Sequence, residues 1–152
     1  MNKVFFDLEW NTGFLDGNSF DEIIEIGAVK TDEEYRQIDG FRRLIRPVIY
    51  RKMNPYIQKI LAITMKDLQG EEPLASVAKA FFDWCGDCDT LIAWSGNDFG
   101  VLEKNLAHIG MKIPEQLGRY DVQMAYAYRT ENSIRNYALK AAVEAMELPE
   151  PE

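Results

Sequence analysis

The first third of the chain has hydrophobic patterns of short period, which predict three β-strands. Residues 2–9 lead from an apolar run into two acidic residues, residues 21–31 are rich in β-branched side chains, and residues 35–46 end at Arg46-Pro47. Between the first two strands, residues 10–20 hold two Gly and two Asn and predict a loop. Consecutive strands with short polar connections favour an antiparallel meander.

Apolar residues three and four positions apart predict helices in the rest of the chain. Residues 73–85 have the clearest pattern, and the other predicted helices cover about residues 55–62, 98–108, 122–128 and 133–147. Residues 89–95 predict a strand that is buried on both faces, and residues 119–122 predict a short final strand. We therefore predict an α/β domain whose mixed five-stranded sheet combines the three-stranded antiparallel meander with two parallel strands and is flanked by helices.

Two carboxylates end the first predicted strand. Side chains alternate faces along a strand, so Asp7 and Glu9 point the same way. Like charges repel, and a hard cation such as Mg²⁺ or Mn²⁺ between them would relieve the repulsion. The sequence therefore predicts a metal site at Asp7 and Glu9. The alternative is a strand that frays into a polar loop with both acids solvated.

A third carboxylate, Asp98, follows the buried fourth strand where the chain turns into a helix. This edge of an α/β sheet is where ligands collect. If the fourth strand lies beside the first, Asp98 faces Asp7 and Glu9. The alternative is that Asp98 is an N-cap, whose side chain accepts a backbone N–H at the start of the helix.

Length and charge limit the function further. A chain of 152 residues predicts a single domain. Its formal net charge of −8 argues against a passive nucleic-acid-binding module, because phosphate binding usually requires a basic surface. An enzyme with a small acidic metal site remains compatible with this charge. No apolar run approaches the roughly 20 residues of a membrane span, and the N-terminus lacks a signal-peptide pattern. We expect a cytoplasmic protein with no membrane partner.

Two other clusters each have a simple structural interpretation. Cys85 and Cys88 have the CxxC spacing of a redox motif, but they lie at the C-terminal end of a predicted helix and suit reduced structural thiols. The main basic cluster either contacts nucleic acid or forms a solvated strand face; it consists of Arg42, Arg43, Arg46, Arg51 and Lys52.

Several motifs in colinear order resemble the DEDD exonuclease family of the ribonuclease-H-like fold. They are Phe6-Asp7-Leu8-Glu9, then Glu22-Ile23-Ile24-Glu25-Ile26-Gly27-Ala28-Val29, then Ala93-Trp94-Ser95-Gly96-Asn97-Asp98. Supporting segments include Arg46-Pro47, Ile63-Thr64 and Tyr120-Asp121-Val122, so the similarity runs over nearly the whole chain. The pattern is most similar to the DEDDh branch, which includes KapD-type sporulation inhibitors and histone-mRNA and small-RNA exonucleases.

The resemblance implies a two-metal 3′–5′ exonuclease that releases nucleoside 5′-monophosphates from the 3′ end of single-stranded RNA or DNA. By the same resemblance, Asp7 contacts both Mg²⁺ or Mn²⁺ ions, Glu9 holds the ion that carries the attacking water, and Asp98 supports the second ion. The resemblance also implies that the pocket for the terminal nucleotide is bordered by Leu8, Trp10, Asn11 and Thr12. Trp10 is a candidate platform for base stacking.

The family also uses a fourth carboxylate and a general base, arranged as His-x4-Asp or Tyr-x3-Asp on a later helix. Neither spacing occurs after Asp98: Ile113 stands where His108 would need an aspartate, and no later tyrosine has the required one. We therefore expect a C-terminally truncated domain that lacks the last helix, binds Mg²⁺ or Mn²⁺ weakly and has little nuclease activity. The uncovered apolar surface would favour a homodimer.

Two other classes of function remain open. One is a non-catalytic nucleic-acid-binding or regulatory module on the same fold. The other is a phosphatase of the DxDx-Thr type, which also begins with a strand that carries two acids. That chemistry requires an aspartate at position 9, where this chain has Glu9.

Overall fold

The computed structural model describes residues 1–131 and 137–149. Five strands form one sheet: β1 (Lys3–Leu15), β2 (Asn18–Thr31), β3 (Gln37–Leu44), β4 (Thr90–Ala93) and β5 (Gly118–Asp121). Their order is β3-β2-β1-β4-β5. The pairs β1/β2 and β2/β3 are antiparallel, while β1/β4 and β4/β5 are parallel. The predicted meander with two added parallel strands is confirmed.

The connection between β1 and β2 is shorter than predicted. β1 continues to Leu15 and β2 begins at Asn18, so most of the predicted loop at residues 10–20 is strand. Asp16 and Gly17 form the turn, with φ of 50° and 81°. Asp-Gly favours such positive φ values in a two-residue hairpin turn, so this dipeptide was the signal for a hairpin. The predicted loop was wrong.

Six helices lie in the described part of the chain. They are α1 (Pro55–Leu61), α2 (Met65–Leu68), α3 (Leu74–Cys85), α4 (Gly96–His108), α5 (Val122–Glu131) and α6 (Leu139–Ala145). The predicted final helix began near residue 133, and residues 132–136 lie outside the described range. In α6 the buried residue is Ala142. None of the helices in residues 1–131 and 137–149 is long and apolar enough to cross a membrane.

The main core lies between one face of the sheet and helices α3 and α4. Val4, Phe6 and Leu8 of β1 point into it and pack with Phe81 of α3 and Leu102 of α4. Because side chains alternate along β1, the residues between these three point to the opposite face. The packing of the core therefore fixes which face carries Asp7 and Glu9.

Asn105 of α4 is 3% exposed, and its side chain links α4 to β2 through hydrogen bonds. Its Oδ1 accepts the backbone N–H of Ile23 at 3.1 Å, and its Nδ2 donates to the carbonyl oxygens of Asp21 at 2.7 Å and Val101 at 2.9 Å. The bonds to Ile23 and Val101 are buried and the bond to Asp21 is partly buried, so together they hold the helix in one position against the strand. The same helix carries Asp98 in its first turn.

Candidate active site

Asp7 and Glu9 lie on the face of the sheet that is opposite the main core. Asp7 pairs with Gly27 across the β1/β2 ladder, and Glu9 pairs with Glu25. An irregularity in the ladder follows directly between Glu9 and Trp10. Bulges of this kind change the direction of the side chains beyond them, and they are frequent next to active sites.

Asp98 reaches the same place because β4 is the parallel neighbour of β1. The residue is 7% exposed, and its carboxylate accepts a hydrogen bond from Ser95 Oγ at 3.2 Å. Ser95 occupies the N-cap position of α4, so the alternative that Asp98 is the N-cap is wrong. Burial raises the pKa of Asp98, and the negative charge of Asp7 raises it further. The two carboxylates are therefore close enough to repel each other.

Mutual repulsion extends through the whole group. Burial raises the pKa of Glu9, and the charges of Asp7, Glu25 and Asp98 add to the shift. Burial also raises the pKa of Asp7; the Leu8 backbone N–H opposes this shift and the charge of Glu25 adds to it. Asp7 is open to solvent on one side, but the adjacent strands remove part of its hydration. Uncompensated negative charge is thus concentrated at this point of the sheet.

Glu25 is the member of this group that sequence reasoning missed. It is 8% exposed and accepts a hydrogen bond from Arg42 Nε of β3 at 2.5 Å. The alternation of β2 places Glu25 on a face, but only the register with β1 places it opposite Glu9. The group is therefore a cluster of four carboxylates, one of which already has a counter-ion.

The chemistry of this cluster suits a divalent cation. Oxygen donors are the preferred ligands of Mg²⁺ and Mn²⁺. A cation would offset the burial and the mutual repulsion that raise the pKa values of these carboxylates. Within residues 1–131 and 137–149, no set of three or more His, Cys, Asp and Glu side chains is arranged to hold an ion as the rotamers stand. Asp7 and Glu9, on the open face, would have to turn toward the ion.

The residues predicted to contact the terminal nucleotide have structural contacts. Asn11 is 1% exposed; its Nδ2 donates to the carbonyl of Lys52 at 3.0 Å and its Oδ1 accepts the N–H of Asn54 at 2.8 Å. Thr12 Oγ1 donates to Asp21 Oδ1 at 2.9 Å. The Asn11 bonds hold residues 52–54 against β1. Contact of Asn11 and Thr12 with a terminal nucleotide remains a prediction.

Leu8 and Trp10 are also in contact with the protein. Leu8 is 3% exposed within the main core, so only its backbone can approach a ligand. Trp10 is half-buried and packs against the edge of that core. Base stacking on Trp10 remains a prediction.

A cavity of about 690 Å³ adjoins the carboxylates on the same face of the sheet. Asp7 and Asp98 lie in its wall, and the rest of the lining is mostly apolar, with Phe5 and Ile92 from the sheet and Tyr126 and Met146 from the helical side. The predicted homodimer remains a prediction.

The CxxC residues have no sign of redox chemistry. Cys85 ends α3, Gly86 follows with a φ of 59°, and both cysteines are buried free thiols. Burial raises the pKa of Cys85 to about 12, whereas a redox cysteine needs a lowered pKa. The interpretation as structural thiols fits this geometry.

A mixed sheet whose first and fourth strands bring carboxylates together is typical of the ribonuclease-H-like fold class. The exonuclease family model RNase_T matches residues 4–151, and the chain belongs to that family. It is thus a nuclease domain of the DEDD type, a family that hydrolyses nucleic acid and normally uses divalent metal ions. The resemblance to DEDD exonucleases is confirmed.

A relative is DNA polymerase III PolC-type from Clostridium perfringens, which is 34% identical over 112 residues. The match covers 72% of this chain but 7% of the polymerase, so the chain corresponds to a small part of it.

Solved structures share the fold at low sequence identity. The nuclease domain of 3′hExo, described as a DEDDh family member bound to rAMP, has a TM-score of 0.73 at 15% identity. The match covers 97% of this chain and 79% of the 3′hExo chain. E. coli Exonuclease I with a dT13 oligonucleotide has a TM-score of 0.72 at 15% identity, and the match covers 97% of this chain and 36% of the Exonuclease I chain. Cell-death related nuclease 4 has a TM-score of 0.77 at 14% identity, covering 97% and 55%.

Proposed function

We propose that this chain is the body of a metal-dependent 3′–5′ exonuclease that acts on single-stranded RNA or DNA. The observation that carries the proposal is the convergence of Asp98 with Asp7 and Glu9, which lie far from it in the sequence. Burial raises the pKa of Glu9 and of Asp98, and the charge of Asp7 raises both further. Such repulsion does not stabilise the fold, but the same concentration of negative charge favours the binding of a divalent cation. A single domain over residues 1–152 agrees with one continuous sheet.

Asp7, Glu9 and Asp98 would hold two Mg²⁺ or Mn²⁺ ions at the scissile phosphate. Bound divalent ions lower the pKa of water and stabilise charge on the attacking and leaving oxygens. By the family resemblance, Asp7 would contact both ions, and its charge acts on both Glu9 and Asp98. The Leu8 backbone N–H points into the same group, where it opposes the rise in the pKa of both Asp7 and Asp98.

Nucleic acid as the substrate is supported by the family and by two structural neighbours whose names state a bound oligonucleotide or rAMP. The net charge of −8 means that the strand must be attracted locally, by bound cations or by individual basic side chains. Attack at the 3′ end and release of nucleoside 5′-monophosphates are parts of the proposal that follow from the family resemblance. A cytoplasmic location is a further part of it, which the resemblance does not supply.

The sequence contains no His-x4-Asp or Tyr-x3-Asp after Asp98, so these 152 residues lack a fourth carboxylate and a general base in that arrangement. General-base catalysis contributes about 10²- to 10⁴-fold to a rate. We therefore propose that these 152 residues hydrolyse nucleic acid slowly.

The test is degradation of 5′-labelled single-stranded DNA and RNA with Mg²⁺ or Mn²⁺, compared with EDTA. We expect a slow, metal-dependent ladder that shortens from the 3′ end, lost in Asp7→Asn. Asp16→Asn is the matched control, because it removes an identical charge from the exposed hairpin turn. Binding of nucleic acid without metal-dependent cleavage, unchanged in Asp7→Asn, would favour the non-catalytic module instead.

A further inference from the structure

Arg42 of β3 lies in the same cross-strand row as Asp7. Asp7 of β1 pairs with Gly27 of β2, and Gly27 pairs with Arg42. Directly paired residues project to the same face of a sheet, so Arg42 and Asp7 share the face of the candidate site. Two strand spacings separate their Cα atoms, which is roughly 10 Å.

Gly27 leaves the surface between these two residues open. A Cβ atom built at Gly27 would meet no other atom within 4 Å. The row therefore consists of an acid at one end, a shallow gap in the middle and a guanidinium at the other end. A strand whose scissile phosphate is held at Asp7 meets no side chain at Gly27 on its way to Arg42.

The guanidinium of Arg42 is hydrogen-bonded through Nε, while its two terminal nitrogens are available to a ligand. Its Nε donates to Glu25, which is 8% exposed, while the Arg42 side chain is 79% exposed. Among the described residues, neither terminal nitrogen of Arg42 makes a hydrogen bond or an ion pair. Their N–H groups form the planar fork that suits a phosphate. The buried carboxylate fixes the direction in which the fork points.

We propose that Arg42 binds a backbone phosphate of the nucleic-acid strand upstream of the 3′-terminal nucleotide. The inference rests on the proposed function, because it assumes that a strand end is held at Asp7. Bound to Arg42, the strand crosses the sheet over Gly27 from β1 to β3. A protein with a charge of −8 needs such a local cation beside its acidic site, since its overall charge repels nucleic acid.

Two arginines of the basic cluster point to opposite faces of β3, so one is a matched control for the other. Arg43 follows Arg42 directly and points to the other face, where its guanidinium carbon lies 6.0 Å from the Phe41 ring centroid. Both arginines are exposed and carry the same charge. Only Arg42 faces the carboxylates, so the two variants separate a specific phosphate contact from general electrostatic attraction.

The experiment measures binding of 5′-fluorescein oligothymidylate by fluorescence anisotropy with Ca²⁺, over a range of NaCl concentrations. We expect Arg42→Ala to weaken binding about tenfold and to reduce the slope of log K against log salt by about 0.7. Arg42→Lys restores the slope but only part of the affinity, because it keeps the charge and loses the fork. Arg43→Ala matches the wild type.

Gly27→Thr provides a second measurement that leaves every charge in place. Threonine favours strands and fills the gap, so we expect weaker binding with an unchanged thermal midpoint and an unchanged salt slope. Equal losses in Arg42→Ala and Arg43→Ala, or no loss in Arg42→Ala, would overturn the inference. If Asp7→Asn still abolishes metal-dependent cleavage in that case, the proposed function stands; if the wild type neither binds nor cleaves, both fail.

Discussion

Replacing Asn105 by alanine is expected to loosen the helix that positions Asp98. The substitution removes the acceptor of the buried Ile23 N–H at 3.1 Å and the donor to the partly buried Asp21 carbonyl at 2.7 Å. Each buried backbone group left without a partner costs about 1–3 kcal/mol. The third bond, to the Val101 carbonyl at 2.9 Å, lies within the helix and adds less. Partial entry of water offsets some of the loss, and we expect about 3 kcal/mol in total.

Urea unfolding followed by circular dichroism measures this change in the free energy of unfolding. With an m-value of about 1.5–2 kcal/mol/M, a loss of about 3 kcal/mol lowers the midpoint by roughly 1.5–2 M at constant slope. Lys104→Ala is the control, since Lys104 is the exposed neighbour on the same helix and should change stability by less than about 0.5 kcal/mol. The metal-dependent cleavage rate of Asn105→Ala should fall even under conditions in which the protein is fully folded.

Equal midpoints for Asn105→Ala and Lys104→Ala would refute this reasoning. That outcome would mean that the buried amide contributes no net stability and that packing alone holds α4 on β2. A large stability loss with an unchanged cleavage rate would refute only the link to Asp98. The two readouts therefore test the hydrogen bonds and their functional consequence separately.

Two further predictions concern charge and close packing. Because burial and the charge of a neighbouring carboxylate raise the pKa of Asp98 in the folded state, the folded chain binds this proton more tightly than the unfolded chain. The cost of ionising Asp98 in the folded state is absent below the unfolded pKa of about 4 and complete above the folded pKa. In EDTA, the thermal midpoint of Asp98→Asn should therefore exceed that of the wild type by a margin that grows as the pH rises from about 4 to about 8. A pH-independent difference would contradict this. Gly13→Ala should lower stability by about 1–3 kcal/mol, because a Cβ there would lie 2.6 Å from ring atoms of Tyr50. Gly100→Ala, whose Cβ meets nothing within 4 Å, should be neutral or stabilising in the same urea titration.

Much of the fold and part of the site could be predicted from local patterns. The period of two placed Asp7 and Glu9 on one face, and the apolar run at residues 89–95 placed Asp98 where a helix begins after a buried strand. The hairpin was missed although Asp16-Gly17 encodes it, since the surrounding Gly and Asn residues were interpreted as a loop. These features depend only on neighbours in the chain, so the sequence alone determines them.

The surroundings of the site depend on contacts between distant segments, which only the tertiary structure decided. The register of β1 against β2 places Glu25 beside Glu9, and Arg42 reaches Glu25 across 17 residues of sequence. The Asn11 side chain bonds to the backbone of residues 52 and 54, which lie about 40 residues further along the chain. Strand register and buried hydrogen bonds are set by the packing of the whole core. No local period of the sequence specifies which residue of one strand lies opposite which residue of the next.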